Sequence, residues 1–190
     1  MGALLVQQTR WTRVEQSLAA LRSSGLLDAG SLAAADLSSL EALIRPSGFH
    51  RQKAQRLRAV AGWWMRSGGE AGLDRLPTAA LRSVLLTQKG IGAETADAIA
   101  LYAFNRPVFV VDAYLRRIQQ RVDGPVKNWA DRNLGDCWLA ACKASAENSR
   151  QAHAVIVRHA QAYCRSRPDC SACPLQPDCC YAGSSMLARR

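Results

Sequence analysis

An all-α fold is predicted by three observations. Apolar residues recur at helical spacing along nearly the whole chain, Gly and Pro clusters punctuate those stretches, and only one short run, Val108 to Val111, is strand-like. A lone strand has nothing to pair with, so "VFVV" is expected to be a buried extended connection.

The elements follow in order. Val14, Leu18 and Leu21 share a helix face that ends at Ser24-Gly25. After the break at Arg45-Pro46, Leu57, Val60 and Trp64 form a second face, which stops at Ser67-Gly68-Gly69. "LRSVLLTQ" and "AETADAIALYAF" read as two helices separated by "KGIG". Glycine accepts positive φ and has no Cβ, so this turn can bring backbone amides close to a ligand. Those amides and the N-terminal end of the second helix form a donor-rich, positive site suited to phosphate; a plain helix-loop-helix corner is the alternative reading.

Beyond Arg106-Pro107 and the extended run, "AYLRRIQQRV" is helical again through Leu115, Ile118 and Val122, which places Asp112 at an N-cap. That helix stops at Asp123-Gly124-Pro125. Cys137 and Cys142 then lie in a helical pattern on different faces and are expected to be buried thiols. Ile156, Ala160 and Tyr163 share a last face, and "SSMLARR" is expected to be a mobile tail.

Composition narrows the class of partner. The chain is 190 residues long and 48% hydrophobic, enough for one good core or two small ones. No apolar run approaches the roughly 20 residues that span a bilayer, so no membrane partner is expected. "MGALLVQQTR" has neither a basic leader region nor a small-residue cleavage site, so a cytoplasmic address is expected. A net charge of +10 points to a polyanion, although Arg outnumbers Lys twenty-one to four, a bias that base composition alone can produce.

Five of the seven cysteines crowd together near the C-terminal end. Cys164, Cys170, Cys173 and Cys179 give C-x5-C-x2-C-x5-C, and Cys180 is a rival for the last place. Clustered thiols in a chain without an export leader argue for a metal site over a disulfide framework. Spacing alone leaves an iron-sulfur cluster and zinc both open.

Taken together, "GIGAETADAIALYAFNRPVFVVDAYLRRI", "LLVQQT", "SGFHRQKA" and "CRSRPDCSACPLQPDC" resemble the endonuclease III (helix-hairpin-helix, HhH-GPD) superfamily of DNA glycosylases over nearly the whole chain. The resemblance implies two helical domains flanking a DNA-binding cleft: residues 1–105 with the hairpin, and residues 106–190 with the catalytic aspartate and an iron-sulfur loop. It implies a base excision enzyme acting on double-stranded DNA with damaged bases. Asp112 would be the catalytic carboxylate. Lys89, Gly90, Ile91, Gly92 and Thr95 would meet DNA, while Gln7 and Phe49 would fill the gap left by a flipped base.

Glu94 is a departure at a catalytic position. Members that also cut the strand carry a lysine there as the Schiff-base nucleophile, and a carboxylate cannot form an imine. Weak or absent lyase action is therefore expected. "KGIGAETADAI" looks closer to the 3-methyladenine glycosylase branch, which implies an aromatic pocket with Trp11 as candidate; Trp11 in the core is the other reading. The cysteine run implies a [4Fe-4S] cluster on Cys164, Cys170, Cys173 and Cys179, although many members have six residues in the first gap where this chain has five. Arg165 and Arg167 would then face phosphate. The match starts at residue 4, without the helix that usually precedes it, which is expected to loosen domain packing. A monomer is the default expectation, and a damaged-DNA or abasic-site binder with weak chemistry is the alternative function.

Overall fold

The computed structural model describes residues 1–124 and 130–187, and those residues contain helices and no strand. Contacts divide the chain into two compact units, Met1–Ile99 and Ala100–Arg190, with the division inside a helix that the sequence-derived boundary at 105/106 leaves whole.

The first unit holds α1 (Gly2–Leu5), α2 (Trp11–Ser23), α3 (Ala29–Ala34), α4 (Leu37–Leu43), α5 (His50–Arg66), α6 (Gly69–Asp74), α7 (Thr78–Leu86) and most of α8 (Ala93–Tyr102), with a 3-10 turn at Arg45–Ser47. The short helices α3 and α4 start where Asp28 and Asp36 accept hydrogen bonds from the Ser31 and Ser39 amides at 2.8 and 2.9 Å. These caps satisfy first-turn donors that a helix cannot satisfy internally. α2 buries Val14, Ser17 and Leu21, with Leu18 only half-buried, so the inner face is rotated from the apolar reading. Ser17 can sit inside because its hydroxyl donates to the Arg13 carbonyl at 3.1 Å.

α5 packs against α1, α3, α4 and α6, and its inner face carries a charge. Lys53 is 2% exposed, and its ammonium donates to the Leu5 and Ser47 carbonyls at 2.8 and 2.7 Å. Burial, and then the Arg56 guanidinium, push its pKa down. The pair of bonds ties α5 to the end of α1 and to the turn before Phe49. Lys53→Met keeps the aliphatic volume but leaves both carbonyls unpaired, and is expected to cost about 3 kcal/mol in denaturant unfolding. An unchanged unfolding midpoint would show that water replaces the ammonium.

The second unit holds the end of α8, then α9 (Ala113–Asp123), α10 (Asp131–Ala141), α11 (Ala146–Ala162) and α12 (Cys180–Leu187), with a 3-10 turn at Gln176–Asp178. Its core gathers Phe109 and Val111 from the extended run with Leu115, Ile118, Leu134 and Ile156. "VFVV" is thus an extended, largely buried connection, as read. Cys142 is buried, but Cys137 is exposed, which corrects the expectation of two buried thiols. Cys137 lies on an exposed side of α10, whereas Cys142 is the C-cap of that helix and joins the core. α9 stops at Asp123 with Gly124 at φ 78°; Pro125 of that expected break lies outside the described residues. Of the expected tail, Ser184–Leu187 continue α12, and 188–190 lie outside the described residues. No described helix is long and apolar enough to cross a membrane.

Candidate active site and cysteine pocket

The turn between α7 and α8 is braced from three sides. Ile91 is 4% exposed and anchors it, and the Ile91 amide donates to the Gln88 carbonyl at 3.0 Å. Arg82 on α7 forms a bidentate pair with Asp97 on α8 at 2.7 and 3.2 Å. The Gln7 side-chain amide donates to the Gly90 carbonyl and to the Thr95 hydroxyl, both at 2.9 Å, while Arg56 donates to its oxygen at 3.3 Å. Gln7 is therefore engaged in holding the turn, a role the sequence did not show.

The two glycines of the turn do different things. Gly90 has φ 92°, and a Cβ there would lie 2.5 Å from Arg56 Cδ. Gly92 has ordinary φ and open space around it, and its carbonyl accepts the first bond of α8, from Ala96 at 2.8 Å. Only Gly90 is demanded by backbone conformation. Lys89 and Glu94 are exposed, Glu94 in the first turn of α8, while Thr95 is buried against Gln7.

Phe49 stands out from its surroundings. It caps α5 in the left-handed region at φ 48°, ψ 32°, and is 60% exposed. A bulky residue there is strained, and strain of this kind costs on the order of 1–3 kcal/mol. Burial beneath the preceding turn is excluded. Trp11 opens α2 and is 51% exposed, with its ring edge near Gly2, so it is not a core residue.

In the second unit Asp112 is 6% exposed at the N-cap of α9. Its Oδ1 accepts from the Leu115 amide at 2.7 Å. Its Oδ2 lies 3.4 Å from His153 Nε2, and His153 Nδ1 lies 2.8 Å from the Tyr102 hydroxyl. Burial raises the Tyr102 phenol, the Arg150 charge opposes this, and the Asp112 carboxylate adds to it. A protonated phenol at this distance can donate to His153 Nδ1. Neither Tyr102 nor His153 was found from sequence, because each is remote from Asp112 along the chain and neither has a partner at helical spacing.

The cysteine loop forms a pocket open to solvent, lined by Cys164, Cys170, Cys173 and Cys179 together with Arg121 and His159. Cys180 is exposed and does not line it. Burial, and then the neighbouring thiols of Cys179, Cys173 and Cys164, push the Cys170 thiol up, with the Arg121 charge opposing them. Arg121 was missed as one arginine among many. It donates to Cys164 Sγ at 3.2 Å and to the Arg165 and Ser166 carbonyls at 2.6 and 3.2 Å, and lies over the Tyr181 ring. Arg165 and Arg167 themselves are exposed.

The chain matches the family described as "HhH-GPD superfamily base excision DNA repair protein" over residues 1–133, a stretch that ends before the cysteine loop. It is 35% identical over 183 residues to the protein named "Putative DNA repair glycosylase MJ1434" of Methanocaldococcus jannaschii, covering 94% of this chain and 83% of that one. Among solved structures it resembles H. pylori 3-methyladenine DNA glycosylase (MagIII) bound to 1,N6-ethenoadenine, at 28% identity and TM-score 0.72, covering 84% and 82% of the two chains. It also resembles endonuclease III in a non-covalent DNA complex, at 22% identity and TM-score 0.80, covering 98% and 83%, a likeness in fold.

Proposed function

Since the chain belongs to the HhH-GPD superfamily of base excision DNA repair proteins, we propose that it is a monofunctional DNA glycosylase, which hydrolyses the N-glycosidic bond of a damaged base flipped out of duplex DNA. The observation that carries this reading is the buried Asp112 carboxylate, with one oxygen fixed by the helix it caps and the other directed at a histidine. A carboxylate so held can stabilise the positive charge that grows on the sugar as the C1′–N bond breaks and its electron pair leaves with the base. It can also take the proton of the water whose oxygen bonds to C1′.

The hairpin amides around Gly90 and the first turn of α8 would hold a backbone phosphate, with Lys89 beside them. Phe49, presented outward by a strained backbone, would wedge into the stack. Glu94 in place of a lysine leaves the first turn of α8 without an imine-forming amine, so hydrolysis without strand cleavage is the expected outcome. An alkylated purine is the first lesion to test, because Trp11 offers an exposed aromatic face and MagIII is a similar structure. The net charge of +10 should make binding steeply salt-dependent.

Cys164, Cys170, Cys173 and Cys179 would hold a [4Fe-4S] cluster. What supports this is the donor set, four thiols lining one pocket, although among the described residues no three His, Cys, Asp or Glu groups are gathered closely enough to hold a metal ion. When bound, the cluster would cross-link the loop; hydrolysis is not assigned to it.

The test is release of free base from duplexes carrying 3-methyladenine, thymine glycol or uracil, with nicking scored separately. Base release without nicking supports the reading. Tight, salt-sensitive binding with no release from any lesion would replace it with a damaged-DNA binder. Gly90→Ala would force a Cβ into a left-handed position against Arg56, and is expected to weaken duplex binding about tenfold, from roughly 1–2 kcal/mol of backbone strain. Equal affinity of the variant would show that the hairpin does not hold phosphate.

A further inference from the structure

His153 sits on α11 between two groups that no short-range pattern connects to it. Its side chain is 14% exposed. Nδ1 is within hydrogen-bond distance of the Tyr102 hydroxyl, and the two rings are tilted at 60° with centroids 5.9 Å apart. Nε2 is a buried nitrogen with no hydrogen-bond partner, 3.4 Å from Asp112 Oδ2. That separation is longer than an ordinary N–H···O bond, and an unsatisfied buried polar atom in a native fold calls for an explanation. Contacts of this length in a resting site commonly tighten when substrate engages.

The surrounding charges favour one arrangement. Arg150, on the same helix, is already engaged with the Leu101 carbonyl, with Asn105 Oδ1 at 2.5 Å and with Glu147 at 2.6 Å. The groups facing the imidazole from the other elements are the Tyr102 phenol at the end of α8 and the Asp112 carboxylate at the start of α9. A phenol that donates to Nδ1 leaves the ring proton on Nε2, the ring nitrogen 3.4 Å from the carboxylate. The opposite tautomer would place a bare nitrogen lone pair against a buried carboxylate oxygen, which is repulsive.

We propose that His153 is a positioning residue for Asp112: the Tyr102 hydroxyl fixes the ring and its tautomer, and Nε2–H holds Oδ2 as the Leu115 amide holds Oδ1. This rests on the glycosylase reading and adds to it how the carboxylate is aimed. With one oxygen restrained from α9 and the other from α11, the carboxylate plane is fixed by two elements, and its remaining lone pairs face the direction left open. An N-cap bond alone would fix one oxygen and leave the plane free to turn.

Two readouts test the inference independently. Imidazole nitrogen NMR of the full chain should find the His153 proton on Nε2 and show its signature perturbed in Tyr102→Phe. A bare Nε2 would overturn the proposal. Single-turnover base release at saturating protein should fall about tenfold in His153→Ala, recover in large part in His153→Gln, which restores a donor, and fall less in Tyr102→Phe. DNA affinity should not change.

The decisive comparison is the double variant. His153→Ala added to Asp112→Asn should cost nothing further, because a residue that acts through the carboxylate has nothing left to act on. A loss that multiplies with that of Asp112→Asn, or no loss at all in His153→Ala, would overturn the proposal. A wild-type chain that releases no base would overturn the functional reading, and the tautomer would then decide the inference alone.

Discussion

Asp112→Asn is expected to lower single-turnover base release by roughly 10²–10³-fold while leaving the protein folded. The two halves of this expectation come from different atoms. Oδ1 works as a helix cap, accepting from the Leu115 amide at 2.7 Å, and asparagine caps about as well as aspartate. What asparagine removes is the negative charge, and with it the proposed stabilisation of a cationic sugar and the proposed capacity to take a proton from water. The loss of charge at the N-terminus of α9 should cost at most about 1 kcal/mol of stability. The measurement is base release alongside thermal unfolding. A variant with wild-type rate would remove Asp112 from the chemistry; one that fails to fold would make the residue structural first.

The second large effect is expected at the cysteine loop. Replacing Cys173 or Cys179 should abolish iron and sulfide incorporation and the visible absorbance that accompanies it, and lower the thermal midpoint by roughly 10 °C, equivalent to about 3 kcal/mol in a chain of this size. Replacing Cys180 should do neither, because that side chain is exposed and stands outside the pocket. Apart from the Arg121 bonds to its first residues, the loop is sparsely held: its one regular element between α11 and α12 is the Gln176–Asp178 turn, and Leu175 is 40% exposed. Loss of the cluster in Cys180→Ala with retention in Cys179→Ala would exchange the two assignments.

Much of this was legible in the sequence, and the reasons differ from place to place. Asp112 was legible because an extended apolar run followed by a helical pattern leaves one residue at the junction, and a carboxylate at a junction is a cap. The cysteine quartet was legible because its members are close in sequence and the pocket needs little folding to assemble. The hairpin was legible as a glycine-bounded turn, but not that Gly90 alone needs its positive φ, since that depends on Arg56 packing against it. His153 and Tyr102 were not legible, because three elements must pack before they meet Asp112. Arg121 was hidden by composition, in a chain where arginine is too common to be a signal. Cys137 was misread because helical periodicity tells which residues share a face and not which face meets the core. On α2 the inner face holds Ser17, whose hydroxyl finds its own backbone, so an apolar pattern placed the face slightly wrong.

Phe49 has a bearing on how this protein could be improved or could drift. Its left-handed backbone is one that glycine or asparagine would occupy at less cost, so the site carries a standing pressure toward smaller residues. A library selected for heat tolerance alone would discard the aromatic ring and, if Phe49 is the wedge proposed above, would accumulate heat-tolerant variants that engage DNA less well. Selection should therefore score function and thermal tolerance together at this position, because the most restful backbone and the proposed wedge belong to different amino acids.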